Sequence, residues 1–397
     1  MARQHPGDRQ PGPESLDLDG ELRLEGCHPL HPGLGPLHLR GDDREVLGDH
    51  SLRPAHGPVE EERPDARDGE TREHEHSQRG RREGDAVVDH EVHRRQYASR
   101  PRRPRPLDSP TVSRIVWVDV FAPTPMSGNP LAVVLEADDD ASHMQALAAE
   151  LGLSETVFVL PARAPEAAAR LRIFTPAREL PVAGHPVVGA AWVMHTVGAM
   201  GPEGLLETGV GPLPVRVSGQ VATMVQAPPT AGPLVDAAEA AAACGVRAAE
   251  HPPAQVWSTG VPQLMLPVAD AEALAAARPD PELLARLGAR DGWLGVSLFA
   301  VTGREGARAE ARVRHFAPGV GVPEDPATGS AAGGLGACLA AAGMGEAGAL
   351  ELVVRQGVEM GRPGEIAVRV SLANGVPRRV QVGGRVLPLF QGRLVRP

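Results

Sequence analysis

The chain contains no lysine; all 40 of its Lys/Arg-type residues are arginine. That absence removes several functional classes. A Walker A loop places a lysine on the nucleotide phosphates, and pyridoxal-phosphate enzymes hold their cofactor as a lysine imine. Aldolases and decarboxylases that work through a lysine imine are excluded on the same ground. Cysteine is scarce too. Cys27, Cys244 and Cys338 are scattered and odd in number. They make neither a Cys-x-x-Cys pair nor a disulfide framework, and a reducing, cytoplasmic compartment is the simplest expectation. No run of 18 apolar residues is present, so no membrane span is expected, and the first residues lack the apolar core of a secretory signal. Excess positive charge is also missing: the formal charge is −10, which disfavours a nucleic-acid partner.

Aromatic residues are few and unevenly placed. Tyr97 is the sole aromatic residue among the first 112, whereas all four Trp and all six Phe lie from Trp117 onward. Ten of the fifteen histidines fall in the first 112 residues, among Arg, Asp, Glu, Pro and Gly, with no sustained apolar period. Such a segment cannot bury enough surface to offset its chain entropy. Residues 1–112 are therefore expected to be a disordered tail, or an extension read from an upstream start with Val112 as the true, GTG-coded one. A metal-binding or nucleic-acid-binding tail using His74, His76, His90 and His93 is the third reading; those histidines have no fixed ligand spacing.

From Ile115 the pattern is that of a packed α/β chain. Strands are predicted at 115–121, 131–135, 156–160 and 170–174. Asp140 or Ser142 caps a helix whose Met144, Leu147, Ala148 and Leu151 share a face, and Gly152 ends it. A second helix is predicted from Pro186, at its first position, to about Val197.

This 285-residue part repeats itself. Arg172-Ile173-Phe174-Thr175-Pro176, with Pro181 five residues on, aligns without a gap to Arg314-His315-Phe316-Ala317-Pro318, with Pro323 five residues on. Each stretch is followed by a small-residue helix, one starting at Gly184-His185-Pro186 and the other at Gly329-Ser330-Ala331. Upstream, Gly128-Asn129-Pro130 is echoed by Gly260-Val261-Pro262. A repeat of this kind predicts two pseudo-symmetric lobes around a cleft. Two helix N-termini aimed at that cleft would favour a small anionic ligand, most simply a carboxylate.

Five motifs, in order, now identify a family resemblance. They are Ser127-Gly128-Asn129-Pro130-Leu131-Ala132-Val133-Val134; Leu153-Ser154-Glu155-Thr156-Val157-Phe158; Phe174-Thr175-Pro176 with Gly184-His185-Pro186; Glu324-Asp325-Pro326-Ala327-Thr328-Gly329-Ser330-Ala331; and Gln356-Gly357-Val358-Glu359-Met360-Gly361-Arg362-Pro363. Together they resemble the phenazine-biosynthesis (PhzF-like) family across residues 114–397. The resemblance implies a diaminopimelate epimerase-like α+β fold, in which each lobe is a mostly antiparallel sheet curled around a central helix. Residues 113–228 would form the first lobe, completed by about 385–397, and 229–384 the second. It also implies a homodimeric isomerase that shifts a proton without metal or organic cofactor, as on trans-2,3-dihydro-3-hydroxyanthranilate.

By that resemblance Glu155 is the acid/base residue, with His185 and Asp325 as further catalytic groups and Gly184, His185, Gly329 and Ser330 as substrate-binding ones. A carboxylate entering an apolar strand is partly desolvated, which raises its pKa toward neutrality. Asp325 precedes a proline, so its backbone is extended and its side chain is free to enter the cleft. The stretch Gly295–Phe299, which aligns with the Glu155 region, has no carboxylate, so one base is expected. Related epimerases carry two thiols just before the paired helix starts; Ala183 and Thr328 stand there instead, which argues against a two-thiol racemase. Cys244 and Cys338 read as small core residues. Arg172 and Arg314 read as ties between the lobes. Two alternatives remain open: a Ser330/His185/Asp325 hydrolase, although the Gly-x-Ser-x-Gly elbow is absent, and a non-catalytic small-molecule-binding protein on the same fold.

Overall fold

The computed structural model describes residues 113–394. The expected extension 1–112, with His74, His76, His90 and His93, lies outside the described residues. The first half of the fold runs β1 (Arg114–Val120), β2 (Asn129–Leu135), α1 (Ala141–Leu151), β3 (Thr156–Leu160), β4 (Ala169–Phe174), β5 (Glu179–Leu180), α2 (Gly184–Thr196), β6 (Glu203–Thr208), β7 (Gly211–Ser218) and β8 (Val221–Val225). The second runs β9 (Thr230–Leu234), α3 (Ala237–Ala243), β10 (Gln255–Ser258), β11 (Pro262–Pro267), α4 (Ala271–Ala275), α5 (Pro281–Asp291), β12 (Gly295–Glu305), β13 (Arg308–Ala317), β14 (Val322–Asp325), α6 (Gly329–Leu339), β15 (Ala349–Gln356), β16 (Gly364–Ala373) and β17 (Val376–Arg393). The result is a sheet-rich α+β fold. No helix among the described residues is long and apolar enough to cross a membrane.

Local chemistry explains the helix ends. Asp140 accepts from the backbone amides of Ser142 and His143 at the start of α1, and Gly152 stops the helix at φ +63°. Asp280 caps α5 in the same way, with Pro281 inside the first turn and Gly292 at φ +77° behind it. The central helices are different. Neither Ala183 before α2 nor Thr328 before α6 makes a side-chain cap bond. Helix α2 starts two residues ahead of the expected Pro186. Its start is set by contact with α6 rather than by a capping residue.

Strand pairing repeats with the sequence. Strands β2 and β3 are parallel across α1, as β11 and β12 are across α4 and α5. Strands β4 and β6 are parallel across α2, as β13 and β15 are across α6. The neighbouring pairs β1–β2, β3–β4, β4–β5, β6–β7 and β7–β8 are antiparallel, and so are β10–β11, β12–β13, β13–β14, β15–β16 and β16–β17. The registers agree residue by residue: Ala132 pairs with Thr156 and Thr156 with Phe174, while Leu264 pairs with Val296 and Val296 with Phe316. Counting back from Ala132 and Leu264 lays Gly128-Asn129-Pro130 on Gly260-Val261-Pro262. Counting back from Thr156 and Val296 lays Glu155 on Gly295.

The long β17 belongs to both halves. Its N-terminal part pairs with β16, its middle with β8 and its C-terminal part with β1. Pairing through β17, β1, β2, β3, β4, β6, β7 and β8 therefore closes on itself like a barrel. Period-2 alternation assigns the faces. Leu131, Val133 and Leu135 of β2 turn toward α2, and Ala132 and Val134 turn outward to Met144 and Ala148 of α1. Helices α2 and α6 are apolar all round and buried along nearly their whole length in one shared core. Helices α3, α4 and α5 cover the outer face of β10–β13 through a separate cluster around Leu264, Leu284, Trp293 and Phe316. Cys338 is buried in α6 and Cys244 is buried just after α3.

The two repeated arginines differ from expectation. Arg172 pairs with Glu179 and Asp139. Arg314 pairs with Glu324 and caps carbonyls at Leu274 and Ala277. Each braces its own half of the repeat and does not tie one half to the other.

Candidate active site

Helices α2 and α6 meet end to end. A Cβ on Gly184 would come within 2.8 Å of both the Gly329 Cα and the Ser330 backbone nitrogen. Only glycine permits that approach. It brings together two helix starts whose first amides have no capping side chain, and so two partial positive charges.

Beside this junction lies a buried polar cluster built around Asn129. The turn before it demands Gly128, which has φ +62° and whose Cβ would sit 2.3 Å from the Val120 carbonyl oxygen. Arg362 clamps the turn by donating to the Gly128 and Ser127 carbonyls and to the fully buried Asp119 carboxylate. The Asn129 amide then donates to Asp325 Oδ1 at 2.8 Å and to the Ala327 carbonyl at 3.0 Å, and lies 3.2 Å from His185 Nδ1. Asp325 also accepts from Ser154 at 2.9 Å and from Thr328 at 2.5 Å. Gln356 locks the loop by donating to the Asp325 carbonyl and accepting from the Thr328 amide.

Glu155 is the last residue before β3, and its side chain is 13% exposed. Its Oε2 lies 3.5 Å from His185 Nε2. Neither atom has a hydrogen-bond partner and both are buried. The two hydrogens of the Asn129 amide go to the Asp325 and Ala327 oxygens, so its contact with Nδ1 does not fix the His185 tautomer. Burial holds the His185 pKa down at about 3, so the ring is neutral at pH 7. Burial, and secondarily the Asp325 charge, lift the Glu155 pKa well above the usual carboxylate value. Burial also lifts Asp325, but its bonds from Thr328, Ser154 and Asn129 pull the other way. Two neighbouring carboxylates are thus set apart: Asp325 is raised but has three hydrogen-bond donors that offset part of its burial, while Glu155 has no such offset and is raised well above the usual value, which makes it the stronger base once ionised.

A cavity of about 280 Å³ adjoins the cluster, at the small end for ligand sites. Glu155, Asp325 and Ser330 line it, together with Thr328, Gln263 and His315. Gly184 lines a smaller adjoining pocket. His185 stands behind Glu155 and Gly329 stands in the helix junction, neither on the cavity wall. The Asp325 carboxylate bonds go to Asn129, Ser154 and Thr328 rather than to His185, so no Ser–His–Asp relay is assembled. Sequence reasoning missed Asn129, Gln356, Gln263 and His315. Asn129 and Gln356 stood inside quoted motifs, and that was their signal.

The buried imidazoles also fix a pH dependence. His185 and His315 are held at about 3 and about 4, against 6.5 unperturbed. Between those values the unfolded chain binds protons that the folded chain does not. Their contribution is therefore complete above about pH 6.5 and falls as pH drops. In urea unfolding, His315→Leu is expected to lose about 1 kcal/mol less than wild type per pH unit between about pH 6 and about pH 5.

With this geometry in place, comparison with known proteins is direct. Residues 118–392 match the family model described as phenazine biosynthesis-like protein. The trans-2,3-dihydro-3-hydroxyanthranilate isomerase of Pseudomonas aeruginosa is 37% identical over 291 residues, covering 70% of this chain and 98% of that one. The crystal structure of a Bacillus anthracis phenazine biosynthesis protein of the PhzF family matches with TM-score 0.64 at 25% identity, covering 72% of this chain and 99% of that one. A probable proline racemase of Agrobacterium radiobacter matches with TM-score 0.52 at 14% identity, over 72% of this chain and 93% of that one, and shares the fold. The chain belongs to the phenazine biosynthesis-like (PhzF) family. It is an isomerase of that type.

Proposed function

We propose that the enzyme moves a proton between two carbons of a small, unsaturated carboxylate, with Glu155 as the single acid/base group. The observation that carries this reading is the buried, unbonded Glu155 oxygen on the cavity side of a neutral His185. A protein that only bound ligand would gain nothing from a desolvated carboxylate without a partner. As a base it gains strength, since the weakly acidic C–H bond calls for a high-pKa acceptor.

In the proposed step the Glu155 carboxylate takes a proton from an allylic carbon of the substrate. The electron pair of that C–H bond spreads through the adjacent double bond toward the substrate carboxylate. Glu155 then returns the same proton to the carbon at the other end of the system, and the double bond moves. No net proton, electron or leaving group is exchanged. The start of α6 at Ser330, which lines the cavity, supplies donors for the substrate carboxylate, where charge accumulates, and Gly184 and Gly329 at the junction behind it add the partial positive charge of the two helix starts. His185 acts through Glu155 as a positioning residue: the neutral ring stands behind the carboxylate, with Nε2 3.5 Å from Oε2, and limits where it can turn. Asp325 faces the cavity and raises Glu155 by its charge.

The finer architecture is part of the same proposal. Residues 113–228 with 385–394 form one lobe around α2, and 229–384 the other around α6, with the cavity between them. The family resemblance supports a homodimer.

The test is proton NMR of the full chain with trans-2,3-dihydro-3-hydroxyanthranilate in D₂O. The expected result is isomerisation with deuterium at the newly protonated carbon, at a level set by exchange of the Glu155 proton with solvent. Isomerisation dependent on an added redox cofactor, or release of a fragment, would reject a proton shift.

A further inference from the structure

His315 on the cavity wall and Ser297 behind it are buried polar groups left unused by the proton shift. His315 of β13 pairs with Ser297 of β12 on one side and with Asp325 of β14 on the other. Cross-strand partners project from the same face of a sheet, so Ser297, His315 and Asp325 form a row across three strands. His315 is 2% exposed, and its Nδ1 lies 2.9 Å from the Ser297 hydroxyl. The other edge of the ring lies over Gly295, where an added Cβ would come within 2.7 Å of both Cε1 and Nε2 and within 2.8 Å of the Gln263 Oε1. That Gln263 oxygen is buried and has no hydrogen-bond partner. Both side chains line the cavity that holds Glu155.

The repeat gives this row a control. The positions that match Ser297 and His315 in the first half are Val157 and Ile173, both apolar. An apolar pair therefore satisfies the fold at these positions. Replacing that pair with a histidine and a serine costs desolvation that packing does not return. Gly295 stands where the first half has Glu155. It leaves the imidazole and the Gln263 amide as the polar groups of that corner.

We propose that His315, backed by Ser297 and joined by Gln263, forms a subsite for an uncharged hydrogen-bonding substituent of the substrate, a hydroxyl or amino group, and so selects among carboxylates that share the reacting unit. This inference rests on the carboxylate reading above. A second carboxylate on the substrate would find no counter-charge here: burial keeps the His315 ring neutral, its pKa being held at about 4, and Asp325 is its strand neighbour.

The experiment is calorimetric titration of the full chain with benzoates carrying a meta hydroxyl, amino, methyl or second carboxylate group. Wild type is expected to bind the hydroxyl and amino compounds about tenfold more tightly than the methyl compound, with the dicarboxylate weakest. In His315→Leu that preference should vanish while affinity for the methyl compound stays within about twofold, as expected for loss of one hydrogen-bonding group in a retained pocket. His315→Gln, which keeps a hydrogen-bonding group, should restore part of it. Equal affinity across the panel in wild type would overturn the subsite and leave the carboxylate reading intact. So would a preference that survives His315→Leu, or a uniform loss of affinity in that variant. Binding of none of the benzoates by wild type would remove the carboxylate reading, and the subsite with it.

Discussion

Glu155→Gln is expected to lower the isomerisation rate by about 10² to 10⁴-fold while leaving the fold and ligand affinity in place. The replacement has the same shape, and its amide can take the place of the carboxylate beside His185 Nε2, which lies 3.5 Å from Oε2. It has no proton affinity to offer a carbon acid. Loss in kcat with KM nearly unchanged is the signature of a group that acts in the transition state. The variant should also gain stability above neutral pH. Glu155 has a raised folded pKa, caused first by burial and then by Asp325. In wild type, stability is therefore lost as pH rises through that value, because the folded chain must then carry a desolvated charge. The glutamine carries none, so its thermal midpoint should exceed that of wild type, by more at pH 8 than at pH 6. A variant that is both inactive and less stable at pH 8 would mean that Glu155 is a structural anchor, and the assignment of the base would fail.

Elements with local signals were legible in the sequence. Asp140 or Ser142 was expected to start α1 and Gly152 to end it, and in the fold Asp140 is the cap and Gly152 the stop. The repeat was legible as well, because Arg-x-Phe-x-Pro and Gly-x-Pro recur in order, and strand registers then place Phe174 on Phe316 and Glu155 on Gly295. What escaped reading depends on distance along the chain. Asn129 is 196 residues from Asp325 and 56 from His185, so nothing beside it reveals that its amide joins them. The row of Ser297, His315 and Asp325 exists only once β12, β13 and β14 are in register. The two arginines were expected to tie the lobes together, and instead pair mainly with carboxylates close by in the chain, Glu179 seven residues from Arg172 and Glu324 ten from Arg314. Glu179, Asp139 and Glu324 are brought to them by turns within each half.

Assignment of His185 also changes character when its surroundings are known. A histidine at a helix start suggests direct contact with an anionic ligand. Here Nδ1 faces the Asn129 amide and Nε2 faces Glu155, so both ring nitrogens are directed to protein groups. Its neutrality follows from burial and fits that place: a charged imidazolium would pull the Glu155 pKa down and weaken the base.

Gly184→Ala is expected to be among the most damaging single-methyl additions in the chain, costing about 3 kcal/mol of stability. The added Cβ would lie 2.8 Å from the Gly329 Cα and from the Ser330 nitrogen, and 2.9 Å from the Gly329 carbonyl carbon. All three are backbone atoms, so no side chain can swing away to relieve the contact. Parting the helices is the remaining response, and both are packed on nearly every side within one shared core. The same displacement would move the amides of Gly329 and Ser330 away from Glu155. A shift near 1 Å in a catalytic arrangement can cost about 10²-fold in rate, so activity should fall even at temperatures where the variant is folded. Gly201→Ala is the matched control: Gly201 is exposed, and the nearest neighbour to an added Cβ is the Glu203 carbonyl oxygen, 3.5 Å away. That change should leave stability unaltered or raise it by a few tenths of a kcal/mol, roughly. Equal urea midpoints for the two variants would show that the helix junction has slack. The close meeting of the two helix starts would then not be what holds their amides against the base.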